Sequence, residues 1–107
     1  MSKGLTITNI EIIVDLRLSA PNGEEWVVTK AWETDVFYYI EFRQVTQPPL
    51  ENLVILSKYA STITENEPKE FRRYTLQGLN KSIELTADFI SDKNKLLKAI
   101  SIVTFES

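Results

Sequence analysis

The chain has 107 residues, 43% of them hydrophobic and 25% charged, with a net charge of −3. That size and balance fit one globular domain, residues 1–107, with a core of its own. The acids and bases are interspersed, which argues against a nucleic-acid binder, since such proteins carry a basic stripe. There is no cysteine and no histidine, which excludes disulfides, thiolate metal sites, a cysteine nucleophile and any His-dependent triad.

Met1-Ser2-Lys3-Gly4 opens the chain without an apolar leader, and no run approaches the length of a membrane span. The expectation is a cytoplasmic protein that uses no cofactor and meets no membrane. In that setting the sequon Asn80-Lys81-Ser82 has no role.

Residues 5–18 alternate, with Ile10, Ile12, Val14, Leu16 and Leu18 on one face and Glu11, Asp15 and Arg17 on the other. This predicts a long half-buried strand, its polar face interrupted by Ile13. Ala20-Pro21-Asn22-Gly23-Glu24 has turn chemistry: Pro21 presets φ and Gly23 suits a left-handed position. A three-residue loop places Leu18 opposite Trp26, Leu16 opposite Val28 and Ile12 opposite Trp32. That register gathers the apolar groups on one face.

A second strand runs from Glu25 to Glu33 and turns through Glu33-Thr34-Asp35. Val36-Phe37-Tyr38-Tyr39-Ile40-Glu41-Phe42-Arg43 is aromatic and β-branched and lacks Gly and Pro, so it reads as a core strand. Six of the eleven aromatic residues lie between Trp26 and Phe42. Counting outward from a tight turn, Trp32 meets Val36, Lys30 meets Tyr38, Val28 meets Ile40, Trp26 meets Phe42 and Glu25 meets Arg43.

Pro48-Pro49 ends this meander, and the next stretch supports two readings. Leu53, Leu56, Ala60 and Ile63 could form a helical stripe, followed by a second helix from Pro68 to Leu79 ending near Gly78. Equally, Asn52–Ala60 and Phe71–Leu76 could be strands. After that, Ile83, Leu85, Ala87 and Phe89 alternate. Ser91–Lys95 forms a polar turn, and Leu96–Phe105 reads as a returning strand of a closing hairpin.

Tyr74-Thr75-Leu76-Gln77-Gly78-Leu79, followed by the strand at Ile83, resembles the corner before the penultimate strand of fibronectin type III modules. Tyr38-Tyr39-Ile40-Glu41-Phe42 is similar to their third strand. The likeness covers about a fifth of the chain. Asn80-Lys81 stands where that family has Pro-Gly, and Leu85 where its corner tyrosine is expected. The resemblance implies an immunoglobulin-like Greek-key sandwich acting as a binding or spacer module, and no functional residue is carried over.

The candidate chemistry is sparse. Glu65, Glu67 and Glu70 beside Pro68, and Glu24 with Glu25, are paired carboxylates in polar loops, where solvation is the simpler reading. Asp88, Asp92 and Asn94 carry only a fragment of a calcium-loop pattern, which hairpin-turn chemistry also explains. Arg72-Arg73 with Phe71 and Tyr74 is the one basic–aromatic cluster, and Glu67 and Glu70 blunt its field. The reverse face of the meander is the strongest candidate. It would carry Ile13, Val27, Ala31, Phe37 and Tyr39, rimmed by Arg17, Thr29, Glu41 and Arg43. An apolar-aromatic patch with a charged rim is the pattern of a protein-binding site.

These readings converge on a mostly β, single-domain antiparallel β-sandwich with Greek-key-like connections. The alternative is an α+β fold: a three-stranded meander, two helices and a C-terminal hairpin. The expected function is a small non-enzymatic module that binds another protein through a sheet face or edge, as an assembly component or as an inhibitor of the immunity or anti-defence type. Phe37, Tyr39, Val27, Ile13, Arg17 and Arg43 would be its contact residues. The edge strands could also pair between copies. Two competing expectations remain. One is a carbohydrate- or small-molecule-binding sandwich that uses Trp26, Trp32 or Tyr39 as a stacking platform. The other is a metal-dependent hydrolase built only from carboxylates.

Overall fold

The computed structural model describes residues 7, 9–20, 23–45, 50–61, 66, 68, 71–78 and 81–105, with Phe105 described by its backbone alone. Six antiparallel strands are joined in sequence order into one curled, half-barrel sheet: β1 (Arg17–Ser19), β2 (Glu25–Glu33), β3 (Phe37–Gln44), β4 (Glu51–Ser57), β5 (Arg73–Gln77) and β6 (Ser82–Thr86). Helices α1 (Ala87–Ile90) and α2 (Lys93–Phe105) follow. The antiparallel, mostly β expectation holds. The described strands lie in one sheet in meander order, however, where a sandwich would divide them between two.

One face of the sheet makes the core. Leu18, Trp26, Val28, Ile40, Phe42, Val54, Leu56, Tyr74, Leu76 and Leu85 point into it and are buried. Helix α2 lies over this face against β1, β4 and β5. Its buried residues Leu96, Ala99, Ile100 and Val103 recur at three- and four-residue steps, the spacing of one helical face. Burial of Leu96, Ile100 and Val103 contributes about 1.5–3 kcal/mol each before the cost of ordering the chain.

The predicted closing hairpin is therefore replaced by helices, and the caps explain why. The Thr86 side chain accepts from Phe89 N and stops β6. Asp92 Oδ1 accepts from Asn94 N at 2.8 Å and from Lys95 N at 3.4 Å, starting α2. Asp92 and Asn94 thus serve helix initiation. The β propensity of Ile100, Ile102, Val103 and Thr104 is overridden by the apolar stripe to which Ile100 and Val103 belong. Among the described residues between 50 and 79 the structure has strands β4 and β5 and no α-helix, as the sandwich reading had it.

The N-terminal strand is also corrected. Ile10–Ile13 forms a 3-10 turn capped by Asn9, whose side chain accepts from Glu11 N at 3.1 Å. Asp15 then takes φ 73, a left-handed position that Asp tolerates better than most residues. Its N–H donates to Val28 O at 2.8 Å. The turn swings Ile13 under the sheet into the core, 1% exposed, so Ile13 is not on the reverse face and Ile12 does not meet Trp32. The first hairpin keeps its expected register, Leu18 opposite Trp26, with Gly23 at φ 89.

The second hairpin differs from expectation in two ways. Thr34 Oγ1 accepts from Val36 N and Phe37 N, which tightens the turn around Asp35–Val36 and places Glu33 opposite Tyr38. An extra residue, Thr29, then bulges from β2 between Val28 and Lys30. Trp26 consequently meets Gln44, Val28 meets Phe42, and Trp32 meets Tyr39. Lys30 meets Glu41, not Tyr38; the cation over the Tyr38 ring is Lys58, 4.8 Å from its centroid.

Candidate functional site

Strand alternation puts Phe37, Tyr39, Glu41 and Arg43 of β3 on the face away from the helices. Val27 and, beyond the bulge, Trp32 come from β2; Leu53 and Ile55 come from β4. The bulge decides the chemistry of this face. It sends Ala31 inward, where it is buried, and Trp32 outward, where it is 39% exposed. Ala31 therefore leaves the predicted patch and Trp32 enters it.

The three rings form a ladder. Trp32 and Tyr39 stack, with centroids 5.2 Å apart and planes at 11°. Phe37 meets Tyr39 edge to face at 6.1 Å and 67°. Ile55 is the next cross-strand neighbour of Tyr39, and Leu53 flanks it beside Glu41. Ordered pairs of opposite charge border the far end of the patch: Arg17 Nη1 to Glu25 Oε2 at 3.2 Å and Arg43 Nη2 to Glu51 Oε1 at 3.1 Å. Glu25 was expected to pair with Arg43, but the shifted register gives each a different partner.

Of the six predicted contact residues, Phe37, Tyr39, Val27, Arg17 and Arg43 share this face and Ile13 does not. Trp32 was the missed member. The signal for it lay in Thr34, whose side chain sets the turn, although no local pattern in β2 announces the bulge.

The other candidates disperse. Trp26 is 3% exposed and packs edge to face on Phe42 at 5.6 Å, so it offers no stacking platform. In the basic–aromatic cluster, Tyr74 is buried, Phe71 is exposed and Arg73 pairs with Glu84 at 3.5 Å. Glu65, Glu67, Glu70 and Asn80 lie outside the described residues. Among the described residues no cluster of three or more acidic side chains could hold a metal ion, and no helix is long and apolar enough to cross a membrane.

A second feature, unread in the sequence, is an open cleft of about 440 Å³ beside the bulge. Glu11, Val14, Asp15, Thr29, Lys30 and Ala31 line it. Thr29 Oγ1 donates to Glu41 O at 3.3 Å, which ties the bulge to β3. The cleft presents two carboxylates, an ammonium and a hydroxyl in an open setting.

No protein-family model, curated protein or solved structure matches the chain.

Proposed function

We propose that this chain is a small non-enzymatic interaction module whose outer sheet face binds another protein, as an assembly component or as an inhibitor of the immunity or anti-defence type. The observation that carries this reading is the solvent-facing ladder of Phe37, Tyr39 and Trp32. Aromatic side chains fixed on a rigid sheet lose little conformational freedom on contact, and they dominate binding energy at protein interfaces. The bordering Arg–Glu pairs supply a polar rim.

The test is capture from host lysate by the wild-type chain and by a Phe37→Ser/Tyr39→Ser variant. Neither residue belongs to the buried core, so the variant is expected to keep its circular dichroism spectrum. It should lose the captured protein, since anchors of this type are each worth about 2 kcal/mol or more. A partner retained equally by both forms contradicts the reading.

The exposed Trp32 also supports a carbohydrate- or small-molecule site as a second reading. Sugars bind to free ring faces, and Trp32 and Tyr39 each give one face to the other. Quenching of Trp32 fluorescence by a glycan panel, with no protein captured, would favour this second reading over the first.

A further inference from the structure

Strand β2 runs from Glu25 to Glu33, but β1 pairs only with Glu25, Trp26 and Val27. The contact ends where Asp15 N donates to Val28 O and Val28 N donates to Leu16 O. At that point the left-handed Asp15 and the 3-10 turn Ile10–Ile13 take the chain out of the sheet. From Lys30 to Glu33, no described strand pairs with this edge of β2.

The turn at Thr34 decides which backbone groups face that edge. Thr34 N donates to Phe37 O, so these two residues are a hydrogen-bonded pair. Bonded and non-bonded pairs alternate along an antiparallel ladder. Trp32 with Tyr39 and Lys30 with Glu41 are therefore bonded pairs. Ala31 and Glu33, between and beyond them, turn their N–H and C=O groups away from β3. Among the described residues nothing bonds to these four groups.

The cleft of about 440 Å³ adjoins this edge. Thr29, Lys30 and Ala31 line it from β2, and the N-terminal segment supplies Glu11, Val14 and Asp15. Ala31 sends its side chain into the core and still lines the cleft. Two carboxylates against one ammonium leave the cleft negative. Among the described residues neither Glu11 nor Asp15 forms an ion pair.

We infer that this edge takes an extended, basic segment of another protein by β-strand addition. A strand antiparallel to β2 extends the sheet on the side where β1 stops, in the direction of β1. Its alternate residues each exchange two hydrogen bonds with Ala31 and with Glu33. The residue opposite Trp32 stands on the outer face beside the indole and favours an apolar side chain. The C-terminal end of the segment reaches the cleft, where a lysine or arginine meets Glu11 and Asp15. Only two residues of β2 supply bonds, so the main chain holds weakly and the side chains select the partner. These bonds do not depend on the reading of the outer aromatic face, and either site can fail alone.

The probe is a short acetylated and amidated peptide of alternating threonine and valine that ends in lysine. It is titrated into the full, isotope-labelled chain and followed by amide NMR. In the free chain the Ala31 and Glu33 amides should exchange with solvent faster than those of Lys30 and Trp32. The probe should shift the Ala31 and Glu33 resonances furthest and slow their exchange. Methylating alternate backbone nitrogens of the probe gives two versions. The version that blocks the edge-facing amides should bind roughly tenfold more weakly than the other. Glu11→Gln/Asp15→Asn, in which Asn tolerates the left-handed position, should weaken the lysine probe roughly threefold. It should leave a glutamine-ended probe unchanged.

Ala31 and Glu33 amides already protected in the free chain overturn the inference. Protection that fades on dilution would assign the edge to a second copy, and constant protection to this chain itself. A probe that shifts no resonance, or shifts those of β6 at the other end of the sheet instead, also overturns it. So do methylated versions that bind alike, and an affinity indifferent to lysine.

Discussion

Trp32 and Tyr39 stack face to face across β2 and β3, with planes 11° from parallel. The Thr34 turn sets this pairing by placing Glu33 opposite Tyr38, and the Thr29 bulge then lets Trp26 and Val28 face the core on the same strand. A stacked pair of this kind is worth about 0.5–1.5 kcal/mol beyond the area it covers. Trp32→Ala, Tyr39→Ala and the double variant, compared by urea unfolding, should show a coupling energy in that range. Additive losses would mean that the rings do not support one another in solution.

Lys58 and Arg43 both form ion pairs, and the two should differ in weight. Lys58 is 15% exposed and reaches Glu33 at 3.5 Å while lying over the Tyr38 ring. Arg43 and Glu51 are each more than half exposed, where screening leaves little net gain. Lys58→Ala should cost about 1–2 kcal/mol through its desolvated cation–π contact and its packing. Arg43→Ala should cost under ~1 kcal/mol. Paired thermal denaturation curves check the order.

Gly78 follows β5 where α2 crosses. A Cβ placed there would lie 2.8 Å from the backbone oxygen of Val103. Backbone cannot rotate aside as a side chain can, so Gly78→Ala must displace the helix or the strand. The expected loss is about 1–3 kcal/mol, read as a lower urea midpoint. An unchanged midpoint would mean that α2 sits further from the sheet.

The helical reading of the C-terminus has its own test. Ile100→Ala empties a fully buried position and should cost about 2–5 kcal/mol. Asp92→Ala removes the cap of α2 and should cost about 1 kcal/mol, with a small loss of helical ellipticity at 222 nm. If residues 93–105 formed a strand, Asp92→Ala would leave the helical signal untouched.

The parts of the fold legible in the sequence were those set by strict alternation next to distinctive turn chemistry. Ala20–Glu24 fixed the first hairpin, and Tyr38, Ile40 and Phe42 announced the core face of β3. The rest depended on side chains acting on the backbone. Asn9 and Asp15 bend the N-terminal segment out of the sheet, although its apolar residues alternate as a strand would. Thr86 and Asp92 start helices in a stretch rich in β-branched residues. In that stretch Leu96, Ala99, Ile100 and Val103 already carried the helical period, and β-propensity masked it. The candidate site was legible in Phe37, Tyr39, Val27, Arg17 and Arg43. Trp32 and Ala31 were assigned to each other's faces because a one-residue bulge leaves no mark on composition or periodicity.

The Thr29 bulge makes the character of the surface independent of the residues available to build it. Flattening the bulge with Thr29 retained would run two-residue alternation through β2 and exchange Ala31 and Trp32 between inside and outside. The same side chains would then present a smooth, small-residue surface and a core forced to house an indole. Deleting Thr29 itself would instead leave Ala31 inside and Trp32 outside, so the face depends on where the backbone absorbs the extra residue and not on which amino acids the strand contains.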